Sequence, residues 1–191
     1  MRLHRHAAVW LAVLIVLLAA GLRLHQLEAQ SLWNDEGSSY VQALRSVPEI
    51  IDNAGRDIHP PGYYLLLAGW RLLTGETEFA LRSLSALASV LTVALVYRIG
   101  ARLFSRGAGA LAAALVALNT FSIYYAQEAR MYALLALWGT AGMAGMALVV
   151  EWTAEKRSIH HRDAEEHREG TERFRRGGLA RSAYILPQTQ H

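Results

Sequence analysis

Residues 131–150 run for 20 positions without one Asp, Glu, Lys or Arg, the length a helix needs to cross the roughly 30 Å hydrocarbon core of a bilayer. Three further runs approach it. Residues 7–22 are apolar, and with Arg23 and Leu24 they reach about 27 Å at the helical rise. Residues 79–97 are interrupted by one charge, Arg82, and residues 107–123 are mostly Ala, Leu and Val. Lipid offers no partner to a bare peptide group, so runs of this kind must be helices. The expected fold is therefore all-α: an integral membrane helical bundle of about four transmembrane helices.

The charges orient the bundle. Arg2 and Arg5 precede the first run, and Arg98, Arg102 and Arg106 lie between the second and third. With four spans the positive-inside rule puts both groups in the cytoplasm, in a multi-pass protein of the plasma membrane. The first run is expected to be retained rather than cleaved, because Arg23, Leu24, His25 and Gln26 follow it instead of the small residues a signal peptidase site needs. Residues 60–73 are also apolar, but 14 residues reach only about 21 Å. This segment is expected to lie in the interface, with a second surface helix over residues 36–44. From Glu151 onward the chain is densely charged and is expected to be a polar, disordered tail over residues 151–191, with a short helix at most. The histidines at 160, 161 and 167 belong to that solvated tail. Zero cysteines exclude a disulfide scaffold, a zinc–thiolate site and a cysteine nucleophile, and a net charge of +3 without a basic stripe gives nucleic-acid binding no support.

On the external face this topology gathers four polar clusters: Ser31-Leu32-Trp33-Asn34-Asp35-Glu36, Asp57-Ile58-His59-Pro60-Pro61, Glu76 with Glu78 and Arg82, and the segment from Tyr124 to Tyr132. In a paired carboxylate one member can take a proton from a hydroxyl while the other holds a cation or a second hydroxyl. Each residue also has a plainer reading. Asp35 and Glu36 suit the first turn of a helix, His59 suits a loop before two prolines, and Arg130 suits a helix end where a long side chain snorkels.

Trp33-Asn34-Asp35-Glu36, His59-Pro60-Pro61-Gly62-Tyr63-Tyr64 and Tyr124-Tyr125-Ala126-Gln127-Glu128-Ala129-Arg130-Met131-Tyr132 occur in one order and spacing. So do Glu78-Phe79-Ala80-Leu81-Arg82-Ser83 and Arg102-Leu103-Phe104-Ser105-Arg106. Together they resemble the GT-C glycosyltransferases of the family-39-like subgroup, related to protein O-mannosyltransferases and aminoarabinose transferases, over residues 7–150. The resemblance implies transfer of a sugar from a polyprenyl-phosphate donor to a lipid, glycan or protein acceptor on the non-cytoplasmic face, with inversion. Asp35 would be the base, and Glu36 would orient donor or acceptor or join a cation site. His59 would contact the donor phosphate. Arg130 would stabilise the departing phosphate, with Glu128 positioning it or meeting a divalent metal, the one cofactor the resemblance suggests. Members of that group carry more spans, so residues 1–150 are expected to be the N-terminal part of a truncated transferase, whose activity by itself is a question for experiment. The alternative is a small non-catalytic membrane protein acting through lipid binding or helix association, for which Gly139, Gly142 and Gly145 provide small-residue faces.

Overall fold

The computed structural model describes residues 2–56 and 59–183, which are helical with short connections; Asp57 and Ile58 of the second cluster lie outside them. The helices are α1 (Arg2–Leu24), α2 (Asn34–Ala43), α3 (Val47–Ala54), α4 (Gly62–Thr74), α5 (Glu78–Leu103), α6 (Arg106–Leu118), α7 (Thr120–Ala126) and α8 (Tyr132–Ala183). The segments Ala7–Leu24, Glu78–Leu103 and Tyr132–Arg157 are each long and apolar enough to cross a membrane, and α6 with α7 makes a fourth span if the bent pair is counted as one. The all-α membrane bundle expected from the apolar runs is what the chain forms. The chain divides into two compact units, residues 1–144 and 145–191.

The core of the first unit's bundle is Ile15 and Ala19 of α1, Val93 of α5, and Ala110, Ala113 and Ala117 of α6. Small side chains on α6 let α5 approach closely. The approach is tightest at Gly100 and Gly109, where a Cβ on Gly109 would stand 2.6 Å from the Tyr97 carbonyl oxygen and the Ala101 nitrogen. Backbone atoms cannot give way as a flexible side chain can. Gly109→Leu is therefore expected to destabilise the bundle by about 1–3 kcal/mol or more. Gly107→Leu, at a site where a Cβ meets only the Ser105 hydroxyl at 3.9 Å, is expected to be tolerated. Thermal unfolding of both variants in nanodiscs checks this.

The run over residues 107–123 is not the straight span its composition suggests. It breaks at Asn119, whose ψ of 115° leaves the helical region and whose side chain accepts the Ser122 N–H at 2.9 Å, starting α7 at 61° to α6. The break leaves α6 carbonyls without helical partners, and a buried guanidinium meets them. Arg23 donates to the carbonyls of Ala117 and Val116, each at 3.1 Å, and also to the Ser89 and Ser122 hydroxyls. It is wholly buried rather than snorkelling from the end of α1. An arginine at membrane depth must be matched in this way, since each unmet donor in lipid is costly.

The two surface helices expected over residues 36–44 and 60–73 are α2 and α4, and α3 lies between them. α3 starts at a capping box in which Glu49 accepts the Ser46 N–H at 2.9 Å, with Pro48 in the first turn. α4 does not run across the bundle. Its Tyr63, Tyr64 and Leu67 pack with Leu81 and Leu84 of early α5 and with Ala129, and the Trp70 indole donates to the Ala80 carbonyl at 2.9 Å. Arg71 fastens α2 to α4 by donating to the Ala43 carbonyl at 3.0 Å and pairing with Glu76, which in turn accepts from the Tyr40 hydroxyl.

In the second unit the helix continues through Ala183 where the composition suggested a disordered tail. Residues 151–183 contain many Ala, Glu and Arg and no proline, and a helix closes its own backbone hydrogen bonds without a packed partner. Lys156 sits 4.2 Å from the centroid of the Trp152 ring, one turn back. The histidine side chains at 161 and 167 lie outside the described residues.

Candidate functional site

Glu36 organises the mouth of the bundle. It lies in the first turn of α2, because Trp33 is extended and Asn34 begins the helix, and its side chain is fully buried. Each carboxylate oxygen has two donors. Oε1 accepts from Arg82 Nε at 2.9 Å and the Ala129 N–H at 2.7 Å; Oε2 accepts from Arg82 Nη2 at 2.6 Å and the Trp33 N–H at 3.3 Å. Burial alone would raise the Glu36 carboxyl, but the Arg82 guanidinium and the two N–H donors hold it below the usual carboxylate range. The remaining Arg82 donors go to the carbonyls of Leu27, Gln30 and Ser31. A single ion pair thus ties the turn after α1, the start of α2, the start of α5 and the segment before α8. Its effect is to hold the loops; no oxygen of Glu36 is left for a ligand in this arrangement.

Asp35 turns outward beside it. Its side chain is 44% exposed, and Oδ2 lies 3.4 Å from Arg130 Nη2. Arg130 Nη1 also donates to the Asp35 carbonyl at 3.3 Å, while the Arg130 carbonyl accepts from the Ser85 hydroxyl at 3.1 Å. The guanidinium stands 5.7 Å from the centroid of the Tyr132 ring, and its buried Nε has no hydrogen-bond partner. Arg130 is therefore held at both backbone and side chain with donor capacity to spare, which suits an anion.

Glu128 faces elsewhere. It lines a cavity of about 410 Å3 together with Trp33, Tyr124, Glu36 and Arg82, and neither Asp35 nor Arg130 lines that space. Burial pushes the Glu128 carboxyl above its ordinary range; a hydrogen bond with Tyr124 opposes this, and the negative charge of Glu36 adds to it. His59 is half-buried in the turn ahead of α4, outside the lining of the cavity.

Four of the five residues singled out in the sequence, Asp35, Glu36, Glu128 and Arg130, thus gather at one end of the bundle. The pairing of Arg82 with Glu36 is what spacing did not reveal, although a lone charge inside an apolar run is itself a signal that a buried partner must exist. Among the described residues no three His, Asp or Glu side chains come together as ion ligands. With Glu36 committed to Arg82 and Asp35 facing Arg130, the donor set does not fit a divalent cation.

The family described as dolichyl-phosphate-mannose-protein mannosyltransferase matches residues 58–158, more than half of the chain. The match includes His59, Arg82, Glu128 and Arg130, and Asp35 and Glu36 precede it. No curated protein and no solved structure matches the chain. By that match the chain belongs to the dolichyl-phosphate-mannose-protein mannosyltransferase family, a family of glycosyltransferases of the GT-C type.

Proposed function

We propose that the chain transfers a sugar from a polyprenyl-phosphate donor to a hydroxyl acceptor at the non-cytoplasmic face of the plasma membrane. The observation that carries this reading is the pairing of a half-exposed carboxylate, Asp35, with a mostly buried guanidinium, Arg130, 3.4 Å apart at one end of a membrane bundle. A base and an anion-binding cation side by side are what displacement of a phosphate by an alcohol requires. When the donor phosphate engages Arg130, the guanidinium no longer holds Asp35, and Asp35 is released to accept the acceptor's hydroxyl proton. The acceptor oxygen then bonds to the anomeric carbon from the face opposite the phosphate. The carbon–oxygen bond to phosphate breaks, its electron pair leaves on the phosphate, and the configuration inverts. His59 is assigned to the donor phosphate as a second cationic or hydrogen-bonding contact, and Glu36 to holding Asp35 and Arg130 in register.

Two features support a lipid-linked donor and the proposed orientation. An apolar groove of about 360 Å3, lined by Tyr63, Leu66, Met131, Leu134, Leu135 and Trp138, opens next in sequence to Arg130 and suits a prenyl chain below a phosphate headgroup. α5 runs from Glu78 to Leu103, so at the helical rise about 30 Å separates its site end from Arg98 and about 36 Å separates it from Arg102. Those arginines mark the cytoplasmic side.

The reading is tested in proteoliposomes. Transfer is expected from a polyprenyl-phosphate sugar and not from a nucleotide sugar. An impermeant maleimide added to cells is expected to label cysteines placed at Asn34 and Gln127 but not at Ser105. Transfer from the nucleotide sugar alone, or labelling only at Ser105, would contradict it.

A further inference from the structure

The cavity that holds Glu128 is separate in lining from the Asp35–Arg130 pair, and its chemistry differs. Arg82 is its cation, but that charge is matched by Glu36 through two hydrogen bonds. Glu128 adds a second carboxyl, so the space repels a phosphate instead of attracting one. Its walls combine aromatic faces with planar polar side chains: Trp33 and Tyr124 are about half exposed, and Gln30 and Gln127 stand beside Glu128 and His25. Gln127 is fixed by donating to the carbonyls of Leu22 and His25 at 3.1 and 3.0 Å. The wall after α1 is held by Gln26 in the left-handed region, φ 56°, where side chains other than glycine are strained. At about 410 Å3 the cavity is within the range of small-molecule sites.

We propose that this cavity is a sugar-ring subsite, in which an uncharged saccharide ring lies against the Trp33 indole while Glu128 bonds its hydroxyls. An indole offers a flat apolar face to the C–H side of a pyranose, and the Glu128 carboxyl accepts hydrogen bonds from neighbouring sugar hydroxyls while the Tyr124 hydroxyl beside it offers a further acceptor. The proposal deepens the transferase reading and rests on it for the source of the sugar, which is either the donor or a glycan acceptor. The phosphate is assigned to Arg130 and the ring to this cavity, so charge sorts the two parts of the substrate.

The test uses the full chain in nanodiscs, with a panel of methyl hexopyranosides observed by saturation-transfer NMR. Ring protons of at least one glycoside are expected to receive saturation. Glu128→Ala is expected to weaken binding about tenfold. Trp33→Ala is expected to weaken it comparably, with Trp33→Phe restoring part of it, while Asp35→Asn keeps it. Displacement by the sugar-linked polyprenyl phosphate identifies the donor's ring; failure of that lipid to displace identifies an acceptor's ring. Both support the subsite. No saturation from a wild-type chain that circular dichroism shows to be helical would overturn it. So would binding unchanged in both variants, as an interfacial aromatic belt would give, or displacement by inorganic phosphate. Glycoside binding without sugar transfer would remove the transferase reading alone, and transfer without glycoside binding would remove this proposal alone.

Discussion

Arg82→Ala is expected to cost the site end of the first unit about 3–5 kcal/mol, the range for removing one partner of a buried ion pair. The substitution leaves the Glu36 carboxylate buried with only the Ala129 and Trp33 N–H groups and strips the carbonyls of Leu27, Gln30 and Ser31 of their donor. Glu36→Ala should cost a similar amount by stranding the guanidinium. Replacing both residues by Met should cost less than the sum of the two single changes, because neither charge is then left alone. The pH dependence has a definite sign. The folded Glu36 carboxyl sits below the unfolded value of about 4.3, so its contribution is full above that value and is lost as pH falls through the folded one. Glu128, raised by burial, acts in the opposite sense: its penalty grows as pH rises above the unfolded value. Glu128→Gln should therefore stabilise the neutral-pH protein, while Glu36→Gln should destabilise it. Thermal unfolding in nanodiscs across pH 3–8 measures both.

These expectations depend on contacts that periodicity does not carry. Uncharged runs and the length of residues 60–73 were enough to expect the bundle and the two surface helices, because lipid leaves the backbone so few options. α3 was equally legible in principle: Ser46, Pro48 and Glu49 form its start signal, but a helix of 8 residues has too short a pattern to stand out. The break at Asn119 was less so. An asparagine in an apolar run ends a helix only if its freed carbonyls are met elsewhere, and Arg23 meets them from 94 residues away. The same holds for the site. Asp35, Glu36, Glu128 and Arg130 stood out as polar groups in motifs to which the resemblance gave roles, but what holds each of them in place did not. Glu36 is engaged by Arg82, 46 residues distant, and only that pairing shows that the adjacent Asp35 is the carboxylate left facing outward.

Asp35→Asn is expected to lower sugar transfer by about 10²–10⁴-fold, the range for removing a general base. The change preserves shape and should leave folding within about 0.5 kcal/mol, since the side chain is half exposed. The backbone carbonyl of Asp35 continues to accept from Ser39 and Arg130. Loss of activity in this variant therefore reports chemistry rather than unfolding, unlike loss in Arg82→Ala. The decisive measurement is release of polyprenyl phosphate from a sugar-linked donor by the reconstituted chain, wild type and Asp35→Asn side by side at equal thermal stability. The account predicts turnover by the wild type and its near-complete loss in the variant. No turnover by a stably folded wild type, or equal turnover by both proteins, would contradict it.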